Sequence, residues 1–286
     1  LEVEMTVQER IFSERRRQFE QSISNIDVIN HKCHDLKYQI QALKSEELSA
    51  NKKMAIDDMF WESLLNTAIY WVTGLVLILF LAVVIASLLN SRCLKGRAFF
   101  KTATFLPNIC AAIAMGLIFR MLFDENVGLV NEVLAAMGLD KVPWLASTKY
   151  SKIPVILLIV WRNTPWFTMI VLSGLLNISP DYYEAATVDG ATGWQKFWFI
   201  TLPSISNILF FCSVTLTVDM WKIFNEPYIL PGPGTSNTSL FQYMYESGFN
   251  VFNMGYASAI GVIMMILLTI VSVIQFIARK RQGEVV

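Results

Sequence analysis

Residues 184–203 read EAATVDGATGWQKFWFITLP, and this stretch carries more structural information than any other part of the chain. Long apolar runs flank it on both sides, so it is a polar connection between two segments that can cross a membrane. Just before it, Ser179 can cap a helix, Pro180 suits the first helical position, and Asp181 favours the positive end of the helix dipole. These residues predict a short helix that leads into the polar connection.

The middle of the stretch predicts a turn followed by a second short helix. Asp189-Gly190 is a turn signal, because glycine takes a positive φ at little cost. Thr192 followed by Gln195 has the spacing of a capping box, which begins a helix. Pro203 is expected to end that helix before the next membrane span. The prediction is therefore a helix–turn–helix lying against a membrane.

The composition indicates a membrane protein. Hydrophobic residues make up 54% of the 286 residues, charged residues make up 16%, and the mean hydropathy is +0.47, which is too apolar for an ordinary soluble domain. The net charge is zero, so nothing favours a nucleic-acid partner. The four cysteines are scattered without paired spacing, which predicts neither a disulfide framework nor a zinc site.

Five stretches are long enough to cross a bilayer, which takes about 20 apolar residues. They are residues 66–89, 99–123, 153–176, 205–224 and 257–277. Single polar residues interrupt several of them, as expected for a helical bundle with a polar interior. The fold class predicted from these runs is an all-α membrane protein.

Lysines and arginines predict which side of the membrane each connection faces. Basic residues follow the first and the last predicted spans, at Arg92, Lys95, Arg97, Lys101, Arg279, Lys280 and Arg281. Alternating spans place both groups on the side that holds residues 177–203, so this side and the C-terminus are predicted to be cytoplasmic. Of the two connections on the other side, residues 123–152 contain three lysines, whereas residues 225–256 contain no Lys or Arg.

The predicted orientation places the residues before 66 outside the cell. Residues 1–60 contain neither a signal peptide nor an apolar run that could export them, so we expect a further span upstream. Residues 5–43 carry a heptad pattern, which predicts a charged, extracytoplasmic helical segment over residues 1–60. This segment is either a coiled-coil contact or an amphipathic helix packed on its own domain. In the heptad frame its potential metal donors (His31, Cys33, His34 and Asp35) do not converge, so no metal site is predicted.

The stretch at residues 184–203 resembles the EAA loop of the membrane-spanning subunits of binding-protein-dependent ABC importers. The resemblance implies that this loop, within residues 180–203, docks into a separate ATPase subunit and transmits its motion to the pore. Glu184 would contact the ATPase beside a small-residue face, and Gly190 would permit the turn. The residues implied to couple the chain to the ATPase are Glu184, Ala185, Ala186, Asp189, Gly190, Ile200, Leu202 and Pro203.

The resemblance covers roughly residues 60–281. This region is similar to the carbohydrate permeases of the maltose or glycerol-phosphate type. It rests on the run at residues 60–71, the turn and helix at 88–108, the external loop at 116–145, LPGPG at 230–234 and FNMGYASAIGV at 252–262. It implies that residues 61–286 form a type I ABC importer transmembrane domain, with five spans of an expected six-helix core. It also implies a bacterial or archaeal cell membrane.

The partners implied by the resemblance are an ABC ATPase dimer, a second homologous permease, an extracytoplasmic solute-binding protein and a sugar. The sequence contains no G-x-x-x-x-G-K-[ST] motif, no nucleophile–base motif and no zinc signature. We therefore expect no enzymatic chemistry, no catalytic residue and no cofactor in this chain. ATP and Mg²⁺ are expected on the partner ATPases.

Polar groups within the spans indicate a path for the transported solute, because such groups are costly in lipid and should face an interior cavity. Asn, Asp and Thr suit sugar hydroxyls, and aromatic rings stack on the apolar faces of sugars. The candidates for the path are Trp161, Asn163, Thr164, Thr215, Asp219, Trp221 and Asn225. Each also has a structural interpretation: Asp219 can pair with Lys222, Asn163 can bridge helices, and the tryptophans can lie in interfacial belts.

Two other functions stay open at the level of sequence. The chain could be an importer permease for a solute other than a sugar, such as a peptide or an amino acid, although the combination of residues 230–234 and 252–262 argues against it. It could also be a membrane scaffold that transports nothing and is organised by its N-terminal segment. That scaffold would need no ATPase partner and would not depend on Glu184.

Overall fold

The structure is a computed structural model that describes residues 50–91 and 95–283 together with Lys37, with side chains described for Lys37, residues 58–91 and residues 95–280. The chain divides into two units, Leu1–Asp58 and Met59–Val286, and the second contains the connection at residues 180–203. The predicted heptad pattern and the candidate donors His31, Cys33, His34 and Asp35 lie outside the described residues.

Helices account for all the regular structure in the described residues. In chain order the α-helices are α1 (Ala50–Asn90), α2 (Arg97–Ile109), α3 (Ala112–Leu122), α4 (Leu129–Ala136), α5 (Lys152–Leu176), α6 (Pro180–Val188), α7 (Gly193–Lys196), α8 (Leu202–Ser204), α9 (Ser206–Trp221), α10 (Asn225–Ile229), α11 (Leu240–Tyr245) and α12 (Met254–Gly283). There are two π-helices in this described part of the chain. Phe197–Thr201 connects α7 to α8, and Glu246–Asn250 follows α11.

Four helical segments of the described chain are long and apolar enough to cross a bilayer. They are Asp58–Asn90, Lys152–Leu176, Ser206–Ile229 and Met254–Lys280. The pair formed by α2 and α3 makes a fifth if its two members count as one broken span. These segments correspond in order to the five predicted stretches.

The second predicted span differs from an uninterrupted helix. Residues 99–123 fall into α2 and α3, which meet at 91°. The break lies at Cys110 and Ala111, whose backbones are extended at φ −67°, ψ 142° and φ −59°, ψ 129°. Pro107 removes a backbone donor from the last turn of α2, which weakens the helical ladder just before the break. The expectation of one continuous span is corrected to a bent pair.

The core of the bundle joins three spans. Tyr70 and Ile78 of α1, Leu158 and Phe167 of α5, and Leu216 of α9 are almost completely buried in one cluster. A smaller cluster packs α11 against α12. Many other apolar side chains on the spans are exposed, as expected where the surrounding solvent is lipid rather than water.

Hydrogen bonds show at which end of the bundle two of the connections lie. At one end, Arg279 near the end of α12 donates to Ser206 Oγ at 3.0 Å and Asn207 Oδ1 at 2.6 Å, next to the connection at residues 180–203. At the other end, Asn66 of α1 donates to the carbonyls of Thr235 and Thr238 at 2.9 and 3.0 Å. The connection at residues 180–203 and the loop around residues 235–238 therefore lie at opposite ends of the bundle, as the predicted spans require.

Candidate coupling segment and membrane path

The first helix of the coupling segment (residues 179–205) begins as its residues predict. Ser179 is the N-cap of α6, its Oγ accepts the backbone N–H of Asp181 at 3.3 Å, and Pro180 fills the first helical position. The predicted cap is thereby confirmed. Glu184 and Ala185 are exposed on this helix and Ala186 is half-buried. The helix therefore presents a carboxylate next to a side chain small enough for close approach by another protein.

The turn after α6 has the hydrogen bonds of a Schellman motif. Gly190 has φ 76°, its N–H donates to the carbonyl of Thr187 at 3.1 Å, and the N–H of Ala191 donates to the carbonyl of Ala186 at 2.9 Å. The positive φ predicted for Gly190 is confirmed. A side chain at this position would meet no atom within 4 Å, so backbone conformation alone requires glycine.

The second helix of the segment begins with the predicted capping box. Thr192 Oγ1 accepts the N–H of Gln195 at 3.4 Å, and Gln195 Oε1 accepts the N–H of Thr192 at 2.8 Å. The helix continues past Pro203, which lies inside α8, and it breaks only at Ile205. A wider turn makes this possible, because Leu202 N–H reaches the carbonyl of Phe197, five residues back. The expectation that Pro203 ends the helix is corrected by two residues.

Side-chain bonds join the two halves of the coupling segment into one body. Tyr183 of α6 and Thr201 of the π-helix share a hydroxyl–hydroxyl bond of 2.9 Å. Lys196 Nζ donates to Thr187 Oγ1 at 2.7 Å. Two side-chain bonds therefore connect α6 to the residues that lead into α9. The remaining coupling candidates lie on this far side of the turn, with Ile200 half-buried in the π-helix, and Leu202 and Pro203 in α8.

The predicted path residues lie on α5, α9 and α10. Trp161 is 42% exposed and its ring lies 5.7 Å from that of Phe119. Asn163, Thr164 and Thr215 each donate to a carbonyl four residues back, at 2.8, 2.6 and 3.0 Å. Each of these three side chains therefore donates a hydrogen bond to the backbone of its own helix.

The remaining path candidates follow one another along α9 and into α10. Asp219 Oδ1 lies 3.8 Å from Lys222 Nζ, so the ion pair considered from the sequence is present. Trp221 is buried, its indole nitrogen has no hydrogen-bond partner, and its ring lies 6.3 Å from that of Trp71. Asn225 is exposed at the start of α10.

A cavity of about 220 Å³ lies between α9, α11 and α12. Of the seven path candidates Trp221 is the one that lines it, and Lys222, Phe241 and Met264 are among its other walls. A buried indole N–H without a partner is unfavourable unless something accepts it. The walls of the cavity therefore combine aromatic and thioether side chains with the lysine side chain of Lys222.

The structure contains a partly buried ion pair near the path, and neither of its members is among the predicted site residues. Arg162 Nη1 lies 2.7 Å from Glu226 Oε1, and the exposed fractions of the two side chains are 26% and 6%. The pair links α5 to α10 across 64 positions of sequence. Glu226 stands directly after the candidate Asn225, but no local pattern indicates its burial or its partner. An acidic residue next to a span was the available signal.

Polar side chains of α1 hold the loop between α10 and α11. The Tyr70 hydroxyl donates to the carbonyl of Asn237 at 2.9 Å, and Asn237 Nδ2 donates to the carbonyls of Ser151 and Leu230 at 3.0 and 2.8 Å. Thr67 Oγ1 accepts the N–H of Leu240 at 2.8 Å. The LPGPG sequence thus belongs to a loop that is fixed to α1 and α5.

A second polar contact joins three spans near the middle of the bundle. Thr217 Oγ1 of α9 accepts bonds from Trp71 Nε1 at 2.9 Å and Gln275 Nε2 at 2.7 Å. The two donors come from α1 and α12, so one hydroxyl links the first, fourth and last spans. Sequence patterns cannot show this contact because its members are 146 and 58 positions apart.

The loop at residues 123–152 is organised around Asn131, which is completely buried. Its Nδ2 donates to the carbonyls of Glu125 and Val142, each at 3.0 Å, and its Oδ1 accepts from Val142 N–H at 3.1 Å and Trp144 Nε1 at 2.9 Å. In the same loop, the backbone N–H groups of Val127 and Asn126 bond to the Asp124 carboxylate and hold its pKa below the usual value. The loop therefore has a defined shape.

Comparison with known proteins agrees with the fold. Residues 78–283 match the family described as "Binding-protein-dependent transport system inner membrane component". The chain is 30% identical over 233 residues to the lactose transport system permease protein LacF of Rhizobium radiobacter, covering 79% of this chain and 78% of that protein. It is 30% identical over 229 residues to the arabinooligosaccharides transport system permease protein AraP of Halalkalibacterium halodurans, covering 79% and 72%.

A solved structure supports the same fold. A chain of a bacterial ABC transporter involved in the import of alginate superposes with a TM-score of 0.72 at 24% identity, covering 78% of this chain and 79% of that one. The all-α ABC importer transmembrane fold expected from the sequence is thereby confirmed, as is the resemblance that residues 184–203 indicated. The chain belongs to the family of inner membrane components of binding-protein-dependent transport systems.

Proposed function

We propose that this chain forms half of the translocation path of an ATP-driven importer for a sugar or oligosaccharide. The observation that supports the proposal best is the coupling segment, a preorganised helix–turn–helix that exposes Glu184 at one end of the bundle. The names of the relatives, which specify lactose and arabinooligosaccharides, favour a carbohydrate cargo. The partners are an ABC ATPase dimer, a second homologous permease and an extracytoplasmic solute-binding protein.

In this proposal the coupling segment converts movement of the ATPase into movement of the spans. The ATPase subunits bind ATP and Mg²⁺, close, and displace α6. The Tyr183–Thr201 and Lys196–Thr187 bonds make the segment move as one body. The displacement passes through α8 into α9, which carries Thr217 and Trp221. A two-state change of the permease pair, biased by nucleotide and solute, then exposes the path to alternate sides.

The path itself is proposed to run along α5, α9 and α10. Trp221 would stack on the solute and offer its unpaired indole N–H, and Lys222 and Asp219 border the same region. Trp161, Asn163, Thr164, Thr215 and Asn225 complete the candidate set. The Arg162–Glu226 pair would hold α10, and with it Asn225, against α5.

The proposed orientation places the coupling segment and the C-terminus in the cytoplasm. Arg279 lies at the same end of the bundle as the segment, together with Arg97 and Lys101 in α2. The excess of Lys and Arg in cytoplasmic connections supports this assignment. The loop organised by Asn131 and the LPGPG loop would then face the binding protein.

The experiment that tests the proposal compares two exposed carboxylates at opposite ends of the bundle. Glu184→Ala in the coupling segment should reduce the ATPase that co-purifies with the assembled permease pair, whereas Glu125→Ala in the opposite loop should leave it unchanged. Proteoliposomes containing the complete transporter should then take up a radiolabelled oligosaccharide in an ATP-dependent manner only when the binding protein is present.

Two results would contradict the proposal. If no ATPase co-purifies with the unaltered chain, the permease assignment fails and a scaffold without transport becomes the better explanation. If the reconstituted complex takes up amino acids or peptides but no carbohydrate from a panel of mono- and oligosaccharides, the cargo assignment fails while the coupling role remains.

A further inference from the structure

An apolar groove of about 710 Å³ separates the last third of α1 from the second half of the coupling segment. Phe80, Val84 and Leu88 line one wall, and Trp194, Trp198 and Leu202 line the other. The volume lies within the range of about 300–1,000 Å³ that is typical of small-molecule pockets. Trp194 is 70% exposed even though it lies beside so much apolar surface. The groove is therefore open to whatever surrounds the protein.

A smaller and more polar pocket of about 310 Å³ continues from this groove. The two share Ser87, Gly193 and Phe197 as lining residues. The Ser87 hydroxyl oxygen is buried there and has no hydrogen-bond partner. A buried hydroxyl without a partner is unusual in a folded protein. The junction between the groove and the pocket can therefore accept a further polar group.

Positive charge borders the polar pocket. Lys196 is one of its lining residues, and although its ammonium group donates to Thr187 it carries two further hydrogens. Arg97 Nη2 donates to the carbonyls of Ser91 and Asn90, two other lining residues. Among the residues that the structure describes, no Asp or Glu lines either the groove or the pocket. An anionic group is therefore the occupant that this pocket favours.

The positions of the groove and the polar pocket along α1 match those of the acyl chain and the headgroup of a lipid. The helix α1 ends at Asn90, which lines the polar pocket, whereas the groove follows residues 79–88 inside the span. The apolar compartment thus lies toward the hydrocarbon and the polar one at the membrane surface, where charged headgroups reside. Tryptophans at this depth are typical of the interface.

We propose that the groove and the polar pocket together form a binding site for one anionic phospholipid. An acyl chain lies between α1 and the Trp194–Trp198 face, and the phosphate accepts hydrogen bonds from Lys196 and the Ser87 hydroxyl. In the protein alone a gap separates the coupling segment from α1. The lipid fills this gap and contacts both. The site depends on neither the transported solute nor the ATPase partner.

The test counts lipids that stay bound to the complete transporter. The assembled complex is exchanged into mild detergent with phosphatidylglycerol, washed, and analysed by native mass spectrometry. Val84→Trp fills the groove. Val76→Trp is the matched control, because Val76 is exposed on the same helix two turns earlier and does not line the groove. The expected result is the loss of one retained lipid per copy of this chain in Val84→Trp and no loss in Val76→Trp.

A second variant tests the headgroup contact. Lys196→Gln should reduce the retention of phosphatidylglycerol several-fold, while the retention of the zwitterionic phosphatidylcholine changes little. The proposal is overturned if the unaltered complex retains no lipid, or if Val84→Trp and Val76→Trp retain equal numbers. Equal losses of both lipids in Lys196→Gln would overturn the anionic assignment.

Discussion

Gly190 offers the sharpest test of the coupling segment, because the chain contains a matched glycine elsewhere. Replacing Gly190 by alanine places a Cβ on a residue with φ 76° at the end of α6. Gly138, which ends α4 with φ 78°, has the same Schellman hydrogen bonds, from its own N–H to Ala135 and from Leu139 to Leu134. An added Cβ would meet no atom within 4 Å at either glycine.

The magnitude follows from this shared geometry. An L-residue in the left-handed region costs roughly 1–2 kcal/mol, and replacing glycine recovers part of that cost by restricting the unfolded chain. The net destabilisation should be about 1 kcal/mol at both sites, since neither alanine meets a neighbour. Such a change shifts a local equilibrium by about fivefold. If the turn transmits force from the ATPase, solute uptake should fall by up to about fivefold in Gly190→Ala.

The assay measures stability and transport on the same preparations. Gly190→Ala and Gly138→Ala should lower the melting temperature of the purified complex by equal amounts. ATP-dependent uptake in proteoliposomes should fall in Gly190→Ala and stay near the level of the unaltered protein in Gly138→Ala. Gly190→Asn should recover part of the uptake, because asparagine enters the left-handed region more readily than alanine.

The coupling argument is refuted if uptake falls equally in Gly190→Ala and Gly138→Ala. It is also refuted if Gly190→Ala loses stability as expected but transports normally. In the first case the loss would reflect stability alone, and in the second the turn would have no part in transmission.

Three further predictions concern contacts that hold the bundle together. Glu226→Ala should destabilise the protein by roughly 1–3 kcal/mol, less than for a fully buried pair, because the partly buried Arg162 loses its partner. Arg162→Met combined with Glu226→Leu should unfold at a higher temperature than the single variant, and equal melting temperatures would contradict the role of the pair. Asn131→Ala should leave the Val142 N–H and the Trp144 indole N–H without an acceptor, at roughly 1–3 kcal/mol each. Tryptophan emission should change as well. An unchanged emission spectrum and melting temperature would contradict the structural role of Asn131. A Cβ at Gly116 would lie 2.7 Å from the Ile229 side chain, so Gly116→Ala should lower the free energy of unfolding by about 1–3 kcal/mol. Adding Ile229→Ala should restore part of that loss, which a double-mutant cycle on thermal unfolding would measure. Additive losses would argue against the contact.

Local features of the coupling segment could be predicted from the sequence because each depends on residues within one or two turns. The Ser179 cap, the Thr192–Gln195 capping box and the positive φ of Gly190 follow from side-chain chemistry and backbone sterics alone. The ion pair between Asp219 and Lys222 is also local, at a spacing of three residues on one helix.

Sequence patterns did not predict where two of the helices end or bend. Pro203 was expected to end its helix, but the preceding π-helix supplies a wider turn in which the missing proline N–H causes no break. Residues 99–123 were expected to form one span because their hydropathy is continuous, and hydropathy is insensitive to the direction of the helix axis. The bend of 91° follows from the backbone at Cys110 and Ala111.

The sequence by itself determined the class of this protein, the order of the apolar segments in the described residues and the helix–turn–helix at residues 179–205, because hydrophobic length and capping residues act locally along the chain. The tertiary structure decided which polar groups meet. Arg162 and Glu226, or Trp71, Thr217 and Gln275, come together only when the spans pack. In an apolar surrounding a buried polar group must find a partner, and the fold chooses that partner from residues distant in sequence.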